Sequence, residues 1–302
     1  MKWWLAFALV AIQELPRAVP VEPIGAILDR FQSHSVVALG EVHGDLNSLK
    51  LRLALIRDPR FPGVVNDIVV EVGNARYQDA IDRYVRGEDV PVATIREACR
   101  NTTNHNMGPD YPSFEEIFHA VRAVNLALPP DRRLRILLGD PPFDWSKVET
   151  VHDLYRDDRD KFVADLILRE SLAKKRRALI VYGHMHYLRG TSGSIVSRLE
   201  AAGHQVFSIA TMGPGALLGQ PDVSSWPRPS LALLRGTLIG GAEVPMFQPL
   251  RFEQRFDAVL VDALAPGTVP REYCDDPEYV KMRLFRLDLR GQGDQLRRHC
   301  GL

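Results

Sequence analysis

The sequence predicts an α/β domain in which a mostly parallel sheet is flanked by helices. Three observations carry this. Short β-branched or apolar runs recur along the chain, amphipathic stretches of helical period separate them, and the runs are apolar throughout rather than alternating, as in parallel strands covered on both faces. The texture changes only between Gly213 and Pro249, a stretch rich in proline and glycine with little periodicity. It reads as an irregular insertion at about 213–249 within a single domain spanning 19–302.

Each element follows from local pattern. Ser35 to Leu39 reads as a buried strand, and Leu46, Leu49, Leu53 and Ile56 space a helix from Leu46 to Arg57. Asp67 to Val72 is a second strand, bounded by Asn66 and Gly73. Helical stretches follow over 76–86 and 92–99. Ser113 to Leu126 opens with the capping-box pattern Ser113-Phe114-Glu115-Glu116. Leu134 to Leu138 is a third strand. The segment 159–174 predicts a long helix whose basic end, Lys174 to Arg177, suits a solvated carboxyl terminus. Ala178 to Tyr182 and Gln205 to Thr211 are further strands around a helix at 195–202. Phe256 to Ala263 reads as a sixth strand and Pro277 to Leu289 as a terminal helix.

Of the 302 residues, 45% are apolar and 25% charged, and 38 basic side chains balance 38 acidic ones. That neutrality argues against a nucleic-acid partner bound through a strongly basic face, and the apolar content argues against a disordered acidic chain. A small-molecule substrate is the expected partner. Beyond the N-terminus, no apolar run is long enough for an integral membrane span. The three cysteines, Cys99, Cys274 and Cys300, are compatible with three thiols or with one disulfide and one thiol. Lys2 followed by the uncharged run Trp3 to Ile12 fits a short signal peptide over 1–18, and hence a periplasmic or secreted protein. The alternative is an N-terminal helix packed on a cytoplasmic domain.

Polar residues recur directly after the strands. Glu41 and His43 follow the first within Gly40-Glu41-Val42-His43-Gly44, and Glu71 closes the second with Arg76 beyond it. Asp140 follows the third, and Gly183-His184-Met185-His186 follows the fourth. In an open parallel sheet these positions share the carboxyl edge, where ligands bind. A carboxylate beside a histidine orients it as a general base for water. Alternatively, His43, His186, Glu41 and Glu71 would suit a divalent metal. Arg76 either neutralises Glu71 or binds an anionic substrate. His105, in the polar loop 101–106, is a candidate lining residue, and Asp140 before two prolines is also explained by turn chemistry. The sequence contains no HExxH, GxSxG, GxGxxG or Walker motif, which disfavours the enzyme classes those motifs define.

At Gly40-Glu41-Val42-His43, at Glu71 with Arg76, and at Gly183-His184-Met185-His186, the sequence resembles the superfamily of erythromycin-esterase-like, ChaN-type haem-binding and Tiki/TraB-type proteins, nearest the erythromycin-esterase-like branch. The likeness runs loosely over residues 24–211. It implies a hydrolase that cleaves an ester or acyl bond with a His-activated water. His43 would be the general base, Glu41 and Glu71 its orienting or substrate-binding carboxylates, and His186 a second acid/base or oxyanion stabiliser. Arg76, Asp140, His184 and His105 would contact substrate. The Tiki branch implies a metal-dependent hydrolase on the same residues. The ChaN branch implies a haem cradle without catalysis, for which a tyrosine such as Tyr77 or Tyr187 would serve as ligand.

Overall fold

The computed structural model describes residues 15–103, 111, 113–155, 158–217 and 223–302. β1 (Val36–Glu41), β2 (Asp67–Asn74), β3 (Arg135–Asp140), β4 (Ala178–Gly183), β5 (Val206–Met212), β6 (Ser230–Leu233) and β7 (Ala258–Val261) form one seven-stranded sheet in the order β3-β2-β4-β1-β5-β7-β6. Every pairing is parallel except that of β6 with β7. The α/β expectation therefore holds.

Successive strand residues point to opposite faces, so the continuous apolar runs divide between two cores. Val37 and Leu39 of β1, with Ile68 and Val70 of β2, face α1 (Pro23–Arg30), α2 (Leu46–Arg57), α3 (Phe61–Val64), α4 (Gln78–Arg86), α5 (Val92–Arg100) and α6 (Ser113–Leu126). Val36, Ala38 and Val69 face α7 (Arg159–Glu170), α8 (Ile195–Ala201) and α9 (Phe252–Arg255). α10 (Pro277–Asp288) and α11 (Gly293–Cys300) close the chain, and a disulfide joins Cys274 to Cys300 while Cys99 is a buried thiol. Among the described residues, no helix is long and apolar enough to cross a membrane. Residues 1–14 of the expected leader and the capping side chain of Ser113 lie outside the described residues.

Several local expectations change. The stretch 213–249 contains the edge strand β6, whose four residues are too few to reveal a period, and it contributes Trp226, Leu234, Val244 and Phe247 to the core. The buried side of α2 consists of Ser48, Leu49, Leu51, Arg52, Leu55 and Ile56, whereas Leu46 is exposed. The predicted helix over 159–174 ends at Glu170, because the Ser171 hydroxyl donates to buried Asp67 and Lys175 turns left-handed at φ 54°. The basic run is not simply solvated, because Arg176 joins Arg135 on the Asp67 carboxylate at 2.8 Å each. Sequence pattern also missed α1, α3, α9 and α11.

The sheet closes tightly around Gly40. A Cβ there would lie 2.8 Å from the Ile209 carbonyl oxygen of β5 and 2.9 Å from the His184 Cβ. Only glycine lets β1, β5 and the turn after β4 approach this closely. Gly40→Ala is accordingly expected to destabilise the fold by about 1–3 kcal/mol, the usual cost of overpacking. The urea midpoint checks this, and an unchanged midpoint would contradict the packing described.

Candidate active site

β1, β4, β2 and β3 are neighbours in the sheet, so residues at their carboxyl ends meet although far apart in sequence. Glu41 ends β1, Glu71 lies near the end of β2, Asp140 ends β3 and Gly183 ends β4. The chain after Glu41 turns back at once, which returns His43 to the mouth of the strand that precedes it. Its Nδ1 lies 3.0 Å from Glu41 Oε1, and its Nε2 lies 3.5 Å from Glu71 Oε2. On the other side, His186 Nδ1 lies 2.5 Å from Asp160 Oδ1, and its Nε2 lies 3.5 Å from Glu71 Oε1. Each imidazole is thus backed by its own carboxylate, and both converge on opposite oxygens of Glu71. Both rings are 25% exposed while Glu71 is 2% exposed, so the histidines face the cleft and the carboxylate forms its floor.

The outer groups hold this arrangement. The Gly183 N–H donates to Glu71 Oε2 at 2.8 Å, and Arg159 Nη2 donates to Oε1 at 3.3 Å. Gly183 also leaves room, since a Cβ there would stand 3.3 Å from His43 Nε2. Arg159 is fixed by Asp140 through Nε at 2.8 Å, and Asp140 accepts from the Thr103 hydroxyl at 2.6 Å and the Thr103 N–H at 2.5 Å. Arg52 reaches Glu41 Oε2 at 3.3 Å from the buried side of α2.

Among the described residues, the cluster joins the carboxylates of Glu41, Glu71, Asp140 and Asp160 to the guanidiniums of Arg52 and Arg159. Burial pulls His186 towards neutrality, but the hydrogen bonds from Asp160 and Glu71 and their charges overcome this and carry its pKa up to about 9. His43 behaves alike: burial lowers its pKa, while the Glu41 hydrogen bond and the charges of Glu71 and Glu41 give a net rise. Burial opposes ionisation of Glu71, yet the His186 hydrogen bond and the charges of His43, His186 and Arg159 hold its pKa well below the usual range.

His43, Glu41, Glu71 and His186 are therefore brought together, and Asp140 joins them as the anchor of Arg159. His184 is not in the cleft. Residues two apart in the tight turn His184–Tyr187 point in different directions, and His184 packs edge-on against Phe247 and Phe256 at 5.8 and 6.2 Å. Burial lowers its pKa to about 4. Arg76 does not neutralise Glu71; it is 55% exposed and pairs with Asp144 at 2.9 Å, and Arg159 takes the place expected of it. His105 lies outside the described residues. Sequence reasoning missed Arg52, Arg159 and Asp160. Arg52 betrays itself at helical spacing from Ser48 and Ile56, a charge on a buried stripe. The run Asp158-Arg159-Asp160 marks the first turn of the helix after β3.

Among the described residues, no group of three or more His, Cys, Asp or Glu side chains is placed to hold a metal ion. Both Nδ1 atoms are tied to carboxylates, and both Nε2 atoms meet a Glu71 carboxylate already engaged by Gly183 and Arg159. The two tyrosines suggested for haem differ in access, Tyr77 being part-buried and Tyr187 buried. Tyr187 is fully buried with its hydroxyl donating to the Ile180 carbonyl at 3.1 Å, and the Tyr77 oxygen accepts from Asn101 Nδ2 at 2.7 Å.

No family model and no curated protein matches the chain. Among solved structures it is similar to a succinoglycan biosynthesis protein, with a TM-score of 0.58 at 9% identity over 84% of this chain and 96% of that one. It is also similar to a Bacillus cereus protein, with a TM-score of 0.53 at 11% identity over 84% and 97%. ChaN of Campylobacter jejuni, described with cofacial haem, gives a TM-score of 0.44 at 11% identity over 81% and 92%. At these identities the first two likenesses show a shared fold. Fold and cleft together define an α/β protein with two His–carboxylate pairs joined across one buried glutamate.

The raised His186 pKa sets a pH dependence of stability. A pKa above the unfolded value of 6.5 stabilises the fold fully below pH 6.5, and this contribution is lost as pH rises towards about 9. The Glu71 shift has the opposite sign, contributing above 4.5 and fading as pH falls below it. Wild-type urea midpoints are expected to decline between pH 6.5 and 9 more steeply than those of His186→Asn. Parallel curves would contradict the pairing.

Proposed function

We propose that the protein is a hydrolase of the erythromycin-esterase-like kind, cleaving an ester or related acyl bond with a water activated by His43. The observation that carries this reading is Glu71, shared between two cleft-facing imidazoles that are each oriented through Nδ1 by a separate carboxylate. Carboxylates raise the pKa of both rings, and we divide the acid and base roles between them. His186, carried to about 9, is the proton donor, and His43 is the acceptor.

With Nδ1–H held by Glu41, Nε2 of His43 presents its lone pair to water. It takes one proton as the water oxygen bonds to the acyl carbon. The bond to the leaving oxygen then breaks, and His186 Nε2–H protonates that oxygen, releasing an acid and an alcohol. Glu71 stabilises both rings while they are cationic in the tetrahedral intermediate, and afterwards His43 gives its proton to solvent while His186 takes one up, restoring the starting state; Arg159 keeps Glu71 in place. Asp160 orients His186 as Glu41 orients His43.

We further assign the protein to an oxidising, extracytoplasmic compartment. The apolar run in 1–18 supports a leader, and the Cys274–Cys300 disulfide fits such a compartment, where disulfides persist. N-terminal sequencing of the exported protein should find the first 18 or so residues removed; a mature chain starting at Met1 would contradict export by cleavage.

On a generic ester panel, His43→Ala is expected to lose about 10²–10⁴-fold in turnover, the usual contribution of general acid–base catalysis. Equal turnover by wild type and His43→Ala ends the proposal. The pH profile of kcat/KM should be bell-shaped, rising as His43 deprotonates above the ordinary imidazole value and falling near pH 9 as His186 loses its proton. Asp160→Asn removes a carboxylate that raises His186 and should shift the falling limb to lower pH; an unmoved limb would remove His186 from the acid role.

A further inference from the structure

A second cavity, of 740 Å³, opens at the amino-terminal ends of the strands, away from the cleft. His34 precedes β1, Gln205 and Val206 begin β5, and Phe256 and Asp257 lead into β7. The length of β1, about 20 Å, separates it from Glu41. Its size falls within the range of about 300–1,000 Å³ typical of small-molecule sites.

The chemistry of its wall is unbalanced. The acidic side chains are already engaged. Arg189 pairs with Glu200 and Asp257 at 2.8 Å each, and Glu253 accepts from the Gly236 N–H at 2.6 Å. Among the described residues, the remaining basic groups have no carboxylate partner. The guanidinium of Arg30 lies over the Phe207 ring at 5.1 Å, and its Nε is buried without a hydrogen-bond partner among the described residues. His34 meets the same ring edge-on at 5.5 Å and uses Nδ1 on Ser33, which leaves Nε2. His204 and Arg235 also line the cavity. Val206, Phe207 and Phe256 supply an apolar floor.

A guanidinium lying over an aromatic ring presents donors suited to a carboxylate or phosphate. The apolar floor beside it suits a body that water solvates poorly. We propose that this cavity is a binding site for a small amphipathic anion, a carboxylate or phosphate head on an aromatic body, with Arg30 as its anchor. The site is separate from the hydrolytic cleft and does not depend on that activity.

Calorimetric titration of the full chain with 1-naphthyl phosphate, 1-naphthoate and inorganic phosphate tests this, with amide NMR shifts locating the ligand. At least one naphthyl ligand should bind saturably, shift the amides of Gly203 to Phe207, and bind at least tenfold more tightly than inorganic phosphate. Arg30→Gln should weaken that binding at least tenfold, while His43→Ala leaves it unchanged. Tighter binding of the phosphate or of the naphthoate identifies the preferred head group. Absence of saturable binding by both naphthyl ligands, equal binding by Arg30→Gln, or loss of binding in His43→Ala would overturn the proposal. Phe207→Leu, which keeps an apolar floor, should weaken binding less than Arg30→Gln; the reverse order would also overturn Arg30 as the anchor.

Discussion

A carboxylate buried to 2% exposure organises the carboxyl edge of this sheet. Removing the charge of Glu71 from water is costly unless it is paired and hydrogen-bonded. Among the described residues, the Gly183 N–H, the Arg159 guanidinium and the imidazoles of His43 and His186 contribute to meeting that requirement, drawn from β4, α7 and the turns after β1 and β4. The strand order brings these distant segments to a common point, and satisfying Glu71 fixes how their side chains meet there. The same contacts give the cleft its chemistry, because groups that neutralise a buried carboxylate are held close, oriented and shifted in pKa.

The supports reach well beyond the cleft. Arg159 depends on Asp140, and Asp140 depends on Thr103 in the loop after α5. That loop is gripped from the other side, where Arg286 of α10 donates to the Arg100 carbonyl at 2.7 Å and to Asn101 Oδ1 at 2.7 Å. The Arg286 guanidinium also lies over Trp145 at 4.2 Å. The disulfide-closed C-terminal segment is therefore continuous, through hydrogen bonds, with the residues that fix Glu71. A buried polar network of this kind is worth more satisfied than its separate bonds suggest, and costs more when broken.

Folds of this type host many chemistries, so the likeness to solved structures speaks to architecture and the cleft must speak for itself. What distinguishes it is duplication. A single His–carboxylate pair occurs in many loops, whereas here two pairs are aimed at one shared carboxylate. Asp160 is central to this, because without it His186 would lack the counterpart of Glu41.

The sequence by itself determined the layered α/β architecture, most strand and helix positions, and the gathering of Glu41, His43, Glu71 and His186 at one edge. It could do so because apolar period and strand ends are local properties, and in a parallel sheet the ends of all strands share a side. It did not separate His184 from His186 on geometry, and it named Arg76 where the structure has Arg159. Those choices depend on which way a turn of tight pitch points its side chains, and on which helix start lies beside β2. Nor did it show β6, the disulfide partners or the engaged end of the basic run, where pairing across long separations overrides local pattern. Tertiary structure decided these, because burial of Glu71 and Asp67 is a property of the assembled sheet and each buried charge selects its partner from whatever the fold brings within reach.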